Sequence, residues 1–395
     1  MPGRVLRSLA TATLAAVVVT SPAAAVAAPS PAPSGPGSGT DAEGAAAPEA
    51  ADTGVATLLG RLQKLYQQAE EATETYNGTA AELKKRTAEA KRLDAALVTA
   101  RLSLARSRDD AGRLAREQYQ GRSDFSSYLQ LLLGRDPAQA LDQGQVIQRL
   151  AAGRVATVKR FSGAEKRADE LARESRKVLD RQQVLAARQK KERDAVHKRL
   201  KDVEAMLAAL SVDQLADVSS LERKGTDKAQ GALVASGALS SARPPSEEGG
   251  EAVRYAIGQI GKPYVWGAEG PGSFDCSGLT SQAWASAGRT IPRTSQEQWR
   301  QLRKVAVSAL RPGDLVIYFP KATHVALYIG NGLVVQAPRP GSQVKVSPLA
   351  SNPLLGAVRP DPESTPLSTY QAPELPQDAS DGSDEGYGES SSPDA

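Results

Sequence analysis

Apolar and small residues recur in alternating steps of four and three along Leu58, Leu62, Leu65, Ala69, Ala72, Tyr76, Thr79 and Leu83. The pattern resumes along Ala90, Leu93, Leu97, Ala100, Leu104, Ala111 and Leu114. A 3.5-residue repeat keeps one stripe of a helix turned toward a partner helix, so the spacing predicts a coiled-coil arm, interrupted at Arg86 and Ser107. At 1.5 Å per residue, Leu58 to Leu114 makes a rod of roughly 84 Å. A weaker seam follows through Phe161, Ala168, Leu171, Val178, Leu185, Val196, Val203, Leu207 and Leu210, diluted by Ser175, Gln182 and Gln189. Two such arms bury their stripes most simply by folding back on each other, which predicts a helical hairpin over 55–224; pairing between chains is the alternative. The joining region, about 119–145, crowds Tyr119, Phe125, Tyr128, Leu129 and Leu131 to Leu133 among Gly121, Gly134 and Pro137. It is expected to form the tip, either as a local cap or as a docking surface.

The remaining segments differ sharply in composition. Residues 1–27 run from basic Arg4 and Arg7 through an apolar stretch to Ala25-Val26-Ala27, the order of a signal peptide. The apolar run is shorter than the ~20 residues of a spanning helix. Export is therefore expected, with the protein secreted, extracellular or associated with the cell wall. Residues 28–54 and 225–248, rich in Ala, Gly, Ser and Pro, read as disordered linkers. Residues 361–395 carry nine acidic residues and no Lys or Arg, and read as a disordered acidic tail. All three tryptophans, Trp266, Trp284 and Trp299, fall within 249–360, where a packed core is expected. That region holds twelve Lys and Arg against five Asp and Glu, a basic surface suited to an anionic polymer. The export signal and the lack of a reading motif argue against nucleic acid.

The chain has one cysteine, Cys276, which excludes a disulfide within it and leaves an inert buried thiol, a bridge between molecules or a nucleophile. Leu279, Ala283 and Trp284 follow at helical spacing, so Cys276 is expected at the head of a helix, where the dipole and free N–H groups stabilise a thiolate. Of the two histidines, His197 lies in the charged second arm and is expected to face solvent. His324 begins a β-branched and aromatic run, read as a strand, that would hold it rigidly as a base. Gln336, on the following predicted strand, is placed to present its amide oxygen to the second ring nitrogen. Cys276 or His324 alone reads as structural; together they point to catalysis.

These residues resemble a known family. Lys262-Pro263-Tyr264-Val265-Trp266-Gly267, Asp275-Cys276-Ser277-Gly278-Leu279, Pro292-Arg293-Thr294-Ser295, Arg311-Pro312-Gly313-Asp314-Leu315 and the run from His324 to Gly330 occur in the order found in NlpC/P60 peptidases. The resemblance covers about 110 residues. It implies a papain-like α+β domain over 249–360, preceded by the hairpin, and cleavage of peptidoglycan stem peptides, typically between D-γ-glutamate and meso-diaminopimelate or lysine. It further implies Cys276 as nucleophile, His324 as base and Gln336 in a third position that varies in the family. Tyr264 would lie beside the thiolate, while Asp275, Ser277, Arg293 and Ser295 would border the peptide groove. The plainer readings are a wall residue for Tyr264 and a surface ion pair for Arg293, and Pro312-Gly313-Asp314 reads as a turn. The mechanism requires no metal or organic cofactor. A wall-binding scaffold or activator without catalysis, and an amidase or acyltransferase on the same fold, are the rival functions. More loosely, the helical region resembles coiled-coil modules of division-associated hydrolases regulated by the FtsEX complex. That implies a hairpin that either blocks the groove or docks on a membrane partner through its tip.

Overall fold

The computed structural model describes residues 48–120, 137–239 and 243–380. The expected signal peptide, the linker up to residue 47, residues 121–136 of the tip and the tail beyond residue 380 lie outside the described residues. Two 72-residue helices, α1 (Pro48–Tyr119) and α2 (Pro137–Ala208), form the predicted hairpin. Their antiparallel register is fixed by polar cross-links: Gln182 Nε2 donates to Thr87 Oγ1 at 3.0 Å and Gln189 Nε2 to Tyr76 Oη at 3.3 Å. The residues that dilute the α2 seam in sequence thus tie it to α1. Leu62, Ala69, Leu93, Leu97 and Ala100 of α1, and Ala168, Val178, Val196 and Val203 of α2, are buried. Each large aliphatic side chain so buried contributes about 1.5–3 kcal/mol.

A third helix, α3 (Val212–Ala235), enters the stretch read as a linker. Ser211 and Gln214 form a reciprocal capping box, and Val218 packs with Leu62, Tyr66 and Val203 at the base of the hairpin. Composition misled here because alanine, common in linkers, is also the strongest helix former. The side-chain amide of Gln230 then bridges the globular part, donating to Gly332 O and accepting from Ala350 N, each at 3.0 Å.

The globular part places α4 (Glu247–Ile257), α5 (Cys276–Ser286) and α6 (Ser295–Gln301) with a six-stranded antiparallel sheet. The strands are β1 (Arg303–Val305), β2 (Leu315–Tyr318), β3 (His324–Gly330), β4 (Leu333–Gln336), β5 (Lys345–Pro348) and β6 (Leu354–Arg359), in the order β1-β6-β2-β3-β4-β5. Strand alternation sorts the core. Leu315, Ile317, Val325, Leu327 and Val335 join the helices, while Val316, Tyr318, Ala326, Tyr328 and Val334 pack with Leu349 on the other face. The class is α+β, as expected. The expected turn at Pro312-Gly313-Asp314 precedes β2. Gly313 has φ 99°, and a Cβ there would stand 2.7 Å from Gly249 Cα, so two backbones cross where only glycine fits. Part of the segment read as a disordered tail is ordered on this core. Leu367 N donates to Pro245 O and Val346 N to Ala379 O, both at 2.8 Å, and Asp361 is buried against Arg311 at 2.7 Å. Acidic composition suggested solvation, but a buried guanidinium supplies the partner that makes burial of Asp361 tolerable.

Candidate active site

Cys276 is the first residue of α5, as expected, because Asp275 caps that helix: its Oδ1 accepts from Gly278 N at 2.6 Å. Asp275 Oδ2 also accepts from Gly267 N at 2.9 Å and from Arg293 Nη2 at 2.7 Å, so one carboxylate locks the nucleophile loop, the preceding turn and the predicted groove arginine together. Arg293 Nη1 reaches Ser277 Oγ at 2.8 Å, and Ser295 Oγ donates to Ala322 O at 2.7 Å, two residues before His324. Tyr264 is buried beside the loop, where burial and then the neighbouring Cys276 push its phenol up. The glycine of Asp-Cys-Ser-Gly has a steric cause: a Cβ on Gly278 would collide with the carbonyl oxygen of Ala268, which accepts from Asp275 N at 3.1 Å. Gly278→Ala is expected to cost about 1–3 kcal/mol, a drop of several degrees in the thermal midpoint, because the loop has to move to admit one methyl. An unchanged midpoint would show the loop to be looser than this packing.

His324 opens β3, and α5 packs directly on that strand. Its Nε2 lies 2.7 Å from Gln336 Oε1 at the end of β4, while Gln336 Nε2 reaches Ser351 Oγ at 3.4 Å. The amide oxygen can only accept, so Nε2 carries the proton and Nδ1 is left with a lone pair. A base held in this tautomer with Nδ1 free suits removal of a thiol proton. Seven of the eight predicted site residues are buried at the α5 end of the sheet, and the eighth, Arg293, is partly exposed at their edge.

Helix α1 covers that region with a polar stripe that the sequence reading missed. Glu74 Oε1 accepts from Ser277 Oγ at 2.7 Å and lies 3.7 Å from Cys276 Sγ, and its Oε2 accepts from Ser295 N at 2.7 Å. Asn77 Nδ2 donates to Asp275 Oδ2 at 3.0 Å. One turn earlier, Glu70 Oε1 stands 3.4 Å from His324 Nδ1. One carboxyl group therefore faces Cys276 and another faces His324, residues that are 2% and 0% exposed. Tyr76 stands edge-on to Trp266 at 4.9 Å. His197, expected in solvent, stands edge-on to the same ring at 5.4 Å, because α2 follows α1 onto the globular part. The only signal in the sequence was that Glu70, Glu74 and Asn77 share one helical stripe, which usually marks a solvated face.

Closure reverses the electrostatics expected from the helix head. Burial pushes the Cys276 thiol well above its ordinary value, with Glu74 and Asp275 adding to the effect, and Arg293 only partly opposes them. Burial lowers His324 to about 4, against the raising effect of Gln336. In this conformation the pair is a neutral thiol and a neutral imidazole. Among the described residues, Glu74, Asp275 and Cys276 bring ligand atoms within 4.8 Å of one another. Their carboxylate oxygens are already taken by Arg293, Ser277 and backbone N–H groups, and the guanidinium opposes a cation there.

A family model described as NlpC/P60 matches residues 261–356, which include Tyr264, Cys276, His324 and Gln336. A Corynebacterium glutamicum protein described as a probable endopeptidase is 41% identical over 143 residues, covering 36% of this chain and 68% of its own length. The chain belongs to the NlpC/P60 family. Within that family, the peptidoglycan endopeptidase RipA of Mycolicibacterium smegmatis is 41% identical over 126 residues, 27% of this chain and 25% of the relative. The crystal structure of the NlpC/P60 domain of the peptidoglycan hydrolase SagA is 36% identical, covers 28% of this chain and 97% of that one, and superposes with a TM-score of 0.27.

Proposed function

We propose that this NlpC/P60 protein is an exported peptidoglycan hydrolase that uses a Cys276–His324 thiol mechanism and is held closed by its own hairpin. The observation that carries the chemistry is the 2.7 Å contact between Gln336 Oε1 and His324 Nε2, which reserves Nδ1 for the thiol proton. With α1 displaced, His324 Nδ1 takes that proton and Cys276 Sγ adds to the scissile carbonyl. N–H groups at the head of α5 face the developing oxyanion. The imidazolium returns the proton to the leaving amine, the C–N bond breaks, and water activated by His324 hydrolyses the thioester. Gln336 orients the imidazolium without neutralising it, so charge stabilisation falls to the surrounding dipoles.

The names of the relatives support peptidoglycan as substrate, and the basic composition of 249–360 suits an anionic polymer. The bond we assign is that between D-γ-glutamate and meso-diaminopimelate or lysine. Ser277 Oγ and Ser295 N, which donate to Glu74 while the hairpin is closed, become donors for a substrate carboxylate, and Arg293, tied to Asp275 and Ser277, adds its positive charge beside them. Contacts of α1 favour the blocking role over docking through the tip; a membrane regulator of the FtsEX-like kind remains a proposal for what moves the hairpin.

The test is digestion of purified peptidoglycan by the full chain carrying Glu70→Arg and Glu74→Arg, followed by mass analysis of the muropeptides. Paired products gaining one water, one ending in D-glutamate and the other bearing a new free amine on the diamino acid, are expected. Release of whole stem peptides from muramic acid would make the protein an amidase, and intact muropeptides would favour the wall-binding scaffold.

A further inference from the structure

The hairpin closes the site with acidic side chains in a place poorly supplied with cations. Glu70 is 7% and Glu74 1% exposed, one turn apart on α1, and Asp275 is fully buried beside them. Arg293 makes two bonds to Asp275 and one to Glu269. Arg339, which follows β4 and also acts on Glu70, is paired with Glu222 of α3 at 3.1 Å. Among the described residues, further titratable groups nearby include Tyr264, Cys276 and His324 on the globular side, with Lys321 paired to Glu71 and, from α2, His197 against Trp266.

The geometry at His324 is decisive. Gln336 holds the proton on Nε2, so Nδ1 presents a lone pair, and Glu70 Oε1 faces it at 3.4 Å. An ionised carboxylate against a lone pair is repulsive. A single proton on either atom turns the contact into an O–H···N or N–H···O bond. Among the described residues, neither Glu70 Oε2 nor Nδ1 has another hydrogen-bond partner.

Resting on the reading of α1 as the closure of an active site, we propose that docking of the hairpin takes up protons. One is held between Glu70 and His324 Nδ1 and one on the Glu74 carboxyl group, so the lock loosens as pH rises. The device is a proton-linked latch aimed at both halves of the Cys–His pair.

The sign follows from counting protons. Freed, the Glu70 and His324 Nδ1 sites together hold one proton between about pH 4.3 and 6.5 and none above, whereas docked they hold one. Docking therefore takes up a proton at this pair above about pH 6.5 and none between those values. Burial, with Asp275 adding to it, raises Glu74 to about 7 when docked. Its contribution is full below the ordinary carboxyl range near 4.3 and is lost as pH rises to about 7. Burial keeps the Cys276 thiol protonated when docked, so any ionisation of the freed thiol at the helix head adds proton uptake of the same sign. Each proton taken up makes docking tenfold weaker per pH unit, so docking weakens on the order of 10²-fold between pH 6 and 8.

Because Cys276 is the sole cysteine, iodoacetamide reports its exposure in the full chain. The rate is compared between the wild type and Glu70→Gln/Glu74→Gln at pH 6, 7 and 8. The amides keep the shape but cannot lose a proton, and the pH dependence of the thiolate cancels in the ratio. That ratio is expected to rise on the order of 10²-fold across the range, levelling off only once the wild type reacts as fast as Glu70→Arg/Glu74→Arg. Single Glu→Gln variants, expected to show intermediate slopes, serve if the double variant does not close. A slow wild type whose pH slope equals that of the Gln variants overturns the latch alone. A wild type that reacts as fast as the Arg variant at every pH overturns the closure on which the latch rests.

Discussion

Cys276→Ala, placed in the chain whose hairpin is released by Glu70→Arg and Glu74→Arg, is expected to abolish muropeptide cleavage, a fall of about 10⁴-fold or more. Removing a nucleophile that acts as one unit with its base costs most of the catalysis, and only the N–H dipoles at the helix head and substrate binding remain. The fold should tolerate the change. Cys276 packs as a small apolar side chain, α5 is capped by the side chain of Asp275, and alanine is the strongest helix former. A thermal midpoint within a few degrees of the parent would accompany the loss, separating chemistry from stability. Cleavage surviving in this variant would remove Cys276 from the mechanism.

Reversing Glu70 and Glu74 to arginine has the second large effect, an increase. In the closed form Glu74 accepts from Ser277 Oγ and Ser295 N, and removal of one such bond to a buried acceptor costs about 1–3 kcal/mol. Arginine at 74 also sets a second guanidinium near Arg293, a buried like-charge contact that costs several kcal/mol more. A loss of ~3 kcal/mol in docking is worth about a hundredfold in the open fraction, so peptidoglycan cleavage should rise on the order of 10²-fold over the wild type at pH 6. Iodoacetamide labelling of Cys276 should rise in parallel, since both report the same opening. The exposed Lys321–Glu71 pair at 2.7 Å, by contrast, contributes little to the closure.

The parts legible in the sequence were those set by local pattern. A 3.5-residue repeat has one good solution, so both hairpin arms were visible. The helical spacing of Leu279, Ala283 and Trp284 put Cys276 at a helix head, and the β-branched run put His324 on a strand twelve residues before Gln336. What stayed hidden depends on which face meets what. Glu70, Glu74 and Asn77 form a stripe that would be solvated on an isolated rod and is buried only because the globular part docks there. His197 was misread for the same reason. α3 and the ordering of residues 361–380 were missed because Ala, Gly, Pro and acidic content describe a chain without partners. Val218 finds Leu62 and Val203, and Asp361 finds Arg311, only in the assembled fold.

The most direct test measures muropeptide release side by side at one pH for the wild type, for Glu70→Arg/Glu74→Arg, and for that variant with Cys276→Ala. A low, a high and a vanishing rate, in that order, are predicted. Equal rates for the first two would contradict a site closed by α1, and a third rate equal to the second would contradict a thiol hydrolase.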